Sequence, residues 1–123
     1  MELRSELEKV LKEMKGIDGV RGAIIASKEG LLVASHFPAE LDARLLAALA
    51  ATLVKVSVMT TEKLGIGSFT HAVVKASNGY YVCFPVDTEL VLACLLEKDV
   101  NLGLVLVRME RSIKEIIKIL RSI

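Results

Sequence analysis

The segment VRGAIIAS, residues 20–27, constrains the fold of this chain more than any other stretch. Its residues are mostly small or β-branched, which is typical of a strand, and both of its alternating faces are apolar. One face would carry Val20, Ile24 and Ala26, and the other Ala23 and Ile25. A strand that is apolar on both faces belongs inside a sheet that is covered on both sides. The sequence therefore predicts a layered structure with helices above and below a sheet.

Two short turns join apolar runs into predicted hairpins. Lys28-Glu29-Gly30 separates the first run from LLVASHF, and we expect Gly30 to take the left-handed position of a three-residue loop. Asn78 and Gly79 separate SFTHAVVKAS from YYVCFPV, and Asn-Gly between apolar runs is a strong hairpin signal. A further strand, LVLACLLE, follows. The short connections within each group of strands favour antiparallel pairing.

Three segments have helical periodicity. The first repeats apolar residues from Leu3 to Met14, and the second runs from an Asp42 cap to about Leu64, before Gly65. The third follows an Asn101 cap to the C-terminus. Its first residues, LGLVLV, also read as a strand, and we assign them to the helix. The order is helix-strand-strand-helix-strand-strand-strand-helix, which predicts an α/β sandwich with a five-stranded antiparallel sheet and one domain over residues 1–123.

Composition limits the classes of partner. The net charge is +1, so composition gives no support for bulk binding to nucleic acid or to an anionic membrane. Five aromatic residues with no Trp also give little support for a surface that stacks bases. The apolar fraction is 53%, compared with roughly 45–50% in an ordinary soluble domain. This excess favours burial against a partner protein. The longest charge-free apolar stretch, residues 45–54, is half the length of a membrane span, so we expect none. The charged N-terminal segment lacks an apolar signal core, so we expect a cytoplasmic protein.

Motifs for chemistry are absent from the sequence. There is no P-loop, and the glycines do not lie between a strand and the N-terminus of a helix, where a phosphate would bind. His36 and His71 have no ligand partner at a useful spacing, and there is no CxxC motif. Cys83 and Cys94 are expected to be small buried apolar residues, with a disulfide between adjacent strands as the alternative. We expect no metal, no cofactor and no catalytic site.

The second helix carries the main functional signal. A helical wheel at about 100° per residue places Leu46, Leu49, Leu53 and Leu64 toward the sheet and leaves an outer side that is also mostly apolar. Such a helix should be covered on both sides. The alternative is that alanine is merely a good helix former. We predict a homodimer interface on this outer side, with room for another protein: Arg44, Ala47, Ala48, Ala51, Thr52, Lys55, Val58 and Met59.

The third strand is a second candidate interface. It has few charges, and only Lys75, near its end, could protect an edge. If it lies at the sheet edge, two copies could pair there into one continuous sheet. The residues predicted for this edge are Phe69, Thr70, His71, Ala72, Val73 and Val74.

Four blocks of sequence together resemble the Roadblock family, and the resemblance covers nearly the whole chain. The blocks are GVRGAIIASKEGLLVAS, LLAALAATL, SNGYYVCFPV and LACLLEKDVNLGLV. The family includes dynein light chains, bacterial regulators of polarity GTPases and lysosomal scaffold subunits for Ras-like GTPases.

The resemblance implies a sheet with one central helix on one face and the two terminal helices on the other. It implies dimerisation through the central helix and the third strand. It also implies a non-catalytic scaffold or regulator that binds a small Ras-like GTPase and modulates its nucleotide cycle or placement. The alternative is a dimeric, profilin-like sensory or structural module that binds a small ligand or a different protein.

Overall fold

The computed structural model describes residues 3–122 of the chain. It contains three helices and five strands in the predicted order. These elements are α1 (Leu3–Lys15), β1 (Val20–Ser27), β2 (Leu32–His36), α2 (Ala43–Leu64), β3 (Ala72–Ala76), β4 (Gly79–Pro85), β5 (Leu90–Glu97) and α3 (Leu102–Arg121).

The five strands form one antiparallel sheet in the order β2-β1-β5-β4-β3. Helices α1 and α3 cover one face of this sheet, and α2 covers the other. The predicted fold class is therefore confirmed. The central strands β1 and β5 are almost fully buried, as the two apolar faces of residues 20–27 predicted.

Two apolar clusters hold the layers together. The larger one joins α1 and α3 to the sheet through fully buried side chains such as Leu11, Ile25 and Met109. The smaller one lies under α2. Val20 was predicted to share a face with Ile24 and Ala26, but it belongs to the larger cluster on the other face. The reason is an irregularity in the pairing of β1 with β5 between Val20 and Gly22, which breaks the strict alternation of sides.

The predicted helix ends are confirmed. The Asp42 carboxylate accepts hydrogen bonds from the backbone N–H groups of Arg44 and Leu45, at 3.1 and 3.2 Å. Gly65 ends α2 in a left-handed conformation with φ of 64°. The Asn101 side chain caps α3 by accepting from Leu104 N–H, so the segment LGLVLV is helical.

Both predicted hairpins are present, but their glycines act differently. Gly30 has φ of 96° and donates its N–H to the Ser27 carbonyl, as expected for a left-handed turn residue. In the second hairpin the loop is formed by Ser77 and Asn78, and Gly79 already pairs with Ala76. None of these three has a positive φ, so the left-handed turn typical of Asn-Gly does not form. Gly79 is needed because a Cβ atom there would lie against the Leu96 carbonyl oxygen of β5.

Cys83 and Cys94 are free and buried, which confirms that they act as small apolar residues. They face opposite sides of the sheet: Cys83 lies under α2, whereas Cys94 belongs to the cluster under α1 and α3. Burial raises the pKa of the Cys83 thiol from 9.0 to about 12 and also raises the pKa of Cys94. Neither thiol is therefore suited to act as a nucleophile.

Candidate interaction surface

Alanines form the fully buried contact of α2 with the sheet, and two of the predicted leucines pack beside them. Ala47 and Ala50 are both 0% exposed and belong to a cluster that includes the small sheet residues Ala26 and Ala93. Leu46 and Leu53 are partly buried against the same cluster. Small side chains on both sides let the helix backbone approach the sheet closely. The helical wheel was therefore right for Leu46 and Leu53 and wrong in placing Ala47 on the outer side of α2. Ala51 is also buried, at 6% exposed, and lies where the helix borders a groove.

The outer side of α2 carries large apolar residues instead. Leu49, predicted to face the sheet, is 50% exposed, and Leu64 at the end of the helix is 66% exposed. Leu45, Val56 and Met59 are exposed to a similar extent, at 55%, 55% and 52%. Of these five residues, only Met59 was predicted to lie in the interface.

These exposed residues follow a regular spacing. We use the name outer stripe for the set Leu45, Leu49, Thr52, Val56, Met59 and Lys63. The steps along the chain alternate between four and three residues, which is the heptad spacing of helices that pack along a seam. The Thr52 hydroxyl donates to the Ala48 carbonyl at 2.9 Å, so this side chain can turn its methyl group outward. A search for this spacing would have found Leu45, Leu49 and Val56 in the sequence.

The other predicted positions on α2 lie beside the outer stripe. Arg44, Ala48 and Lys55 are exposed, and Val58 is partly buried. Ala48, Lys55 and Val58 line a groove of about 910 Å³ between α2 and the two turns that follow β1 and β4. The far wall of the groove is fixed, because Lys28 donates its backbone N–H to the Glu89 carbonyl at 2.8 Å and its ammonium group pairs with the Glu89 carboxylate at 3.4 Å.

Strand β3 lies at the edge of the sheet and pairs only with β4. It begins at Ala72, so Phe69, Thr70 and His71 precede the strand and were wrongly included in it. In the register that pairs Ala72 with Cys83, Thr70 would oppose Pro85. Proline has no N–H group for the ladder, which explains why the pairing stops there. The His71 ring still stacks on Phe84, with ring centroids 4.8 Å apart.

The open edge has little protection. Val73 and Val74 point to opposite faces of the sheet and are 38% and 45% exposed. Lys75 is the only charged residue of the strand. Edge strands that stay free in solution usually carry charges, proline or bulges that discourage pairing. An edge of this kind fits a strand that is covered by another chain.

Within residues 3–122, one helix, α2, has the length and the apolar composition of a helix that could cross a membrane. Its packing explains that composition in another way. Ala47, Ala50 and Ala51 are buried, while the large apolar residues of the outer stripe are at least half exposed. Within the same described range, no three His, Cys, Asp or Glu side chains are grouped closely enough to hold a metal ion.

Comparison with known proteins decides the family. The model of the Roadblock/LC7 domain matches residues 6–96, about three quarters of the chain. The chain belongs to the Roadblock/LC7 domain family. This family is generally regulatory, and the resemblance seen in the sequence is confirmed. An uncharacterized protein of Methanocaldococcus jannaschii is 29% identical to this Roadblock/LC7 chain over 114 residues, which cover 93% of the chain and 96% of that protein.

Solved structures of Roadblock/LC7 proteins have the same fold. A Roadblock/LC7 domain from Streptomyces avermitilis superimposes with a TM-score of 0.88 at 19% identity, covering 94% of this chain and 98% of that one. MglB from Myxococcus xanthus superimposes with a TM-score of 0.89 at 21% identity, covering 99% and 92%. At these identities the likeness concerns the fold.

Proposed function

We propose that this protein is a homodimeric scaffold or regulator that binds a small Ras-like GTPase and modulates its nucleotide cycle or placement, without catalysis of its own. The observation that carries the proposal is the outer stripe of α2, an exposed apolar seam on a Roadblock/LC7 domain. Four of its six residues are large, apolar and at least half exposed. A patch of this kind on a small domain marks a protein–protein contact.

The β3 edge gives the geometry of self-association. Antiparallel pairing of β3 with its copy relates the two chains by a two-fold axis perpendicular to the sheet. This axis keeps both α2 helices on the same face, side by side and antiparallel. Tyr81 on β4 donates its hydroxyl to the Leu46 carbonyl of α2 at 2.8 Å and pairs with Val74 on β3, so one flank of α2 faces the open edge. In the proposed dimer this flank and the adjoining part of the outer stripe meet the partner's α2.

The remaining surface of the helix pair forms the site for the GTPase. Two parallel rows of apolar residues would lie on top of the dimer, between the grooves of the two copies. The groove walls carry both Lys28 and Lys55 and both Glu29 and Asp87, so the rim offers charges of either sign around an apolar centre. An apolar core with a polar rim is the usual composition of a specific protein interface.

Proteins of the same fold support the proposed self-association. One solved structure with a TM-score of 0.89 is described as MglB in a tetrameric arrangement, so a protein of this fold self-associates. The family resemblance adds the Ras-like GTPase as the expected partner. The proposal extends both properties to this chain.

The test is a binding measurement with each Ras-like GTPase of the organism that encodes this chain. We expect at least one to bind in one nucleotide state more tightly than in the other, because a regulator must distinguish the two states. Met59→Glu, which places a charge on the outer stripe, should weaken this binding. Val107→Glu is the matched control, since Val107 is 55% exposed on α3, on the opposite face of the sheet. If no such GTPase binds at concentrations of about tens of micromolar, the proposed function is wrong.

A further inference from the structure

Charge is unevenly divided between the elements of the fold, although the net charge of the chain is only +1. Helices α1 and α3 together carry nine basic and five acidic residues. The rest of the chain carries seven basic and ten acidic residues. Helices α1 and α3 therefore carry a charge of +4, and the other segments of the chain together carry −3.

The positive charge is concentrated on the outward side of α3. Arg111, Lys114, Lys118 and Arg121 are all exposed and recur at steps of three, four and three residues, which places them on one line along the helix. We call these four residues the basic stripe. The opposite side of the helix is fixed in the core by Met109, Ser112 and Ile116.

No acidic residue lies within the basic stripe. Glu110 and Glu115 are on opposite flanks of it, at about 100° per residue. Within residues 3–122, side-chain ion pairs form between Arg4 and Glu8 and between Lys28 and Glu89, and none involves the basic stripe. The N-terminal end of α3 is different, because Glu97 and Asp99 precede it. The positive patch is thus confined to the last three turns, a length of about 15 Å.

We propose that the basic stripe binds the surface of an anionic lipid membrane. Its four side chains lie on an outward ridge, where a flat, negatively charged surface can reach all of them. Basic residues are attracted to anionic headgroups when they come within about 10 Å of them. The stripe contains no apolar residue, so the contact is electrostatic adsorption and involves no insertion.

The dimer of the proposed function explains why a membrane fits this patch better than an acidic peptide. A two-fold axis perpendicular to the sheet turns the basic stripes of both copies toward the same side. One plane then contacts eight basic residues, whereas a peptide would reach one stripe. Both α2 helices point away from that plane and stay free for a protein partner. The count of eight basic residues rests on the proposed function, because it needs the dimer. Each single chain still presents the four residues of one basic stripe.

Co-sedimentation with lipid vesicles tests the proposal. The full chain should bind vesicles that contain about 30% phosphatidylserine at low salt, release them at about 1 M salt, and not bind pure phosphatidylcholine. Lys114→Gln with Lys118→Gln should lower the partition coefficient at least tenfold, since each basic residue near such a surface contributes a factor of about five. Glu110→Gln with Glu115→Gln should raise it.

The matched control removes the same charge elsewhere. Arg21→Gln with Lys98→Gln, at two exposed positions, changes the net charge equally but leaves the basic stripe intact, so binding should change less than about twofold. The proposal is overturned if the wild-type chain does not bind anionic vesicles, or if both double variants lose binding to the same extent. Light scattering on the same samples distinguishes failure of membrane binding from failure of the proposed dimer. A monomeric chain that still binds vesicles through the basic stripe would contradict only the proposed self-association.

Discussion

Val56→Glu is the sharpest test of the outer stripe. Val56 lies near the middle of α2, where two antiparallel helices related by a two-fold axis come closest, and it is 55% exposed. Burying the remaining half of this side chain contributes about 1 kcal/mol per copy to association. Glutamate at this position also places one carboxylate from each copy near the axis without a partner, at a cost of at least about 1 kcal/mol each. The dimer should lose about 4 kcal/mol, roughly a thousandfold in Kd.

The fold of the single chain should not suffer from this change. Val56 is not part of either buried cluster, and glutamate has a higher helix propensity than valine. Val107→Glu is the matched control, because Val107 is also 55% exposed in a helix but lies on α3, on the opposite face of the sheet. Both variants should keep the circular dichroism spectrum of the wild-type protein.

Light scattering with size-exclusion chromatography provides the measurement. We expect the wild-type protein and Val107→Glu to show twice the 13.4 kDa chain mass, and Val56→Glu to show the chain mass itself. A wild-type monomer at micromolar concentration would refute the reasoning. So would a Val56→Glu variant that stays dimeric with the Kd of the control, because the stripe would then not be covered by a second copy.

Two further predictions concern stability. Gly22→Ala should lower the free energy of unfolding by about 1–3 kcal/mol, because the new Cβ would lie 2.6 Å from the Phe37 ring. Gly103→Ala, in the exposed first turn of α3, should raise the free energy of unfolding by about 0.5–1 kcal/mol. Urea denaturation measures both changes, and a neutral Gly22→Ala would show that Phe37 can move aside. The free energy of unfolding should also fall as the pH rises above about 9, because the folded chain keeps the proton of Cys83 up to a pKa of about 12 and the unfolded chain loses it at about 9.0. This decline should be shallower in Cys83→Ala, and an unchanged slope would contradict the burial of the thiol.

The elements of the fold were predictable because local signals agree with the tertiary structure. The Asp42 and Asn101 caps, Gly65 and Gly30 each act on backbone within a few residues, so the sequence contains all that determines them. Gly79 shows the limit of such signals. Its position marked a hairpin correctly, but its role depends on the Leu96 carbonyl of a strand that lies far along the chain.

The candidate interface was predicted less well than the fold. The strand boundary at Ala72 was missed because it depends on the proline of the paired strand. The face of α2 was assigned wrongly in part because the wheel assumed that the largest apolar residues pack on the sheet, which holds for Leu46 and Leu53 only. The sheet beneath α2 includes small residues such as Ala26 and Ala93, so the helix can approach closely with Ala47 and Ala50 against it.

By itself, the sequence determined that this chain is a Roadblock-type sandwich and that α2 has more apolar surface than one domain can bury. Periodicity, caps and turns are local properties, and composition is a sum over the chain. Only the tertiary structure decided which apolar residues remain outside. The orientation of a helix about its axis is set by the shape of the surface under it, and here that surface leaves Leu45, Leu49, Val56 and Met59 at least half exposed.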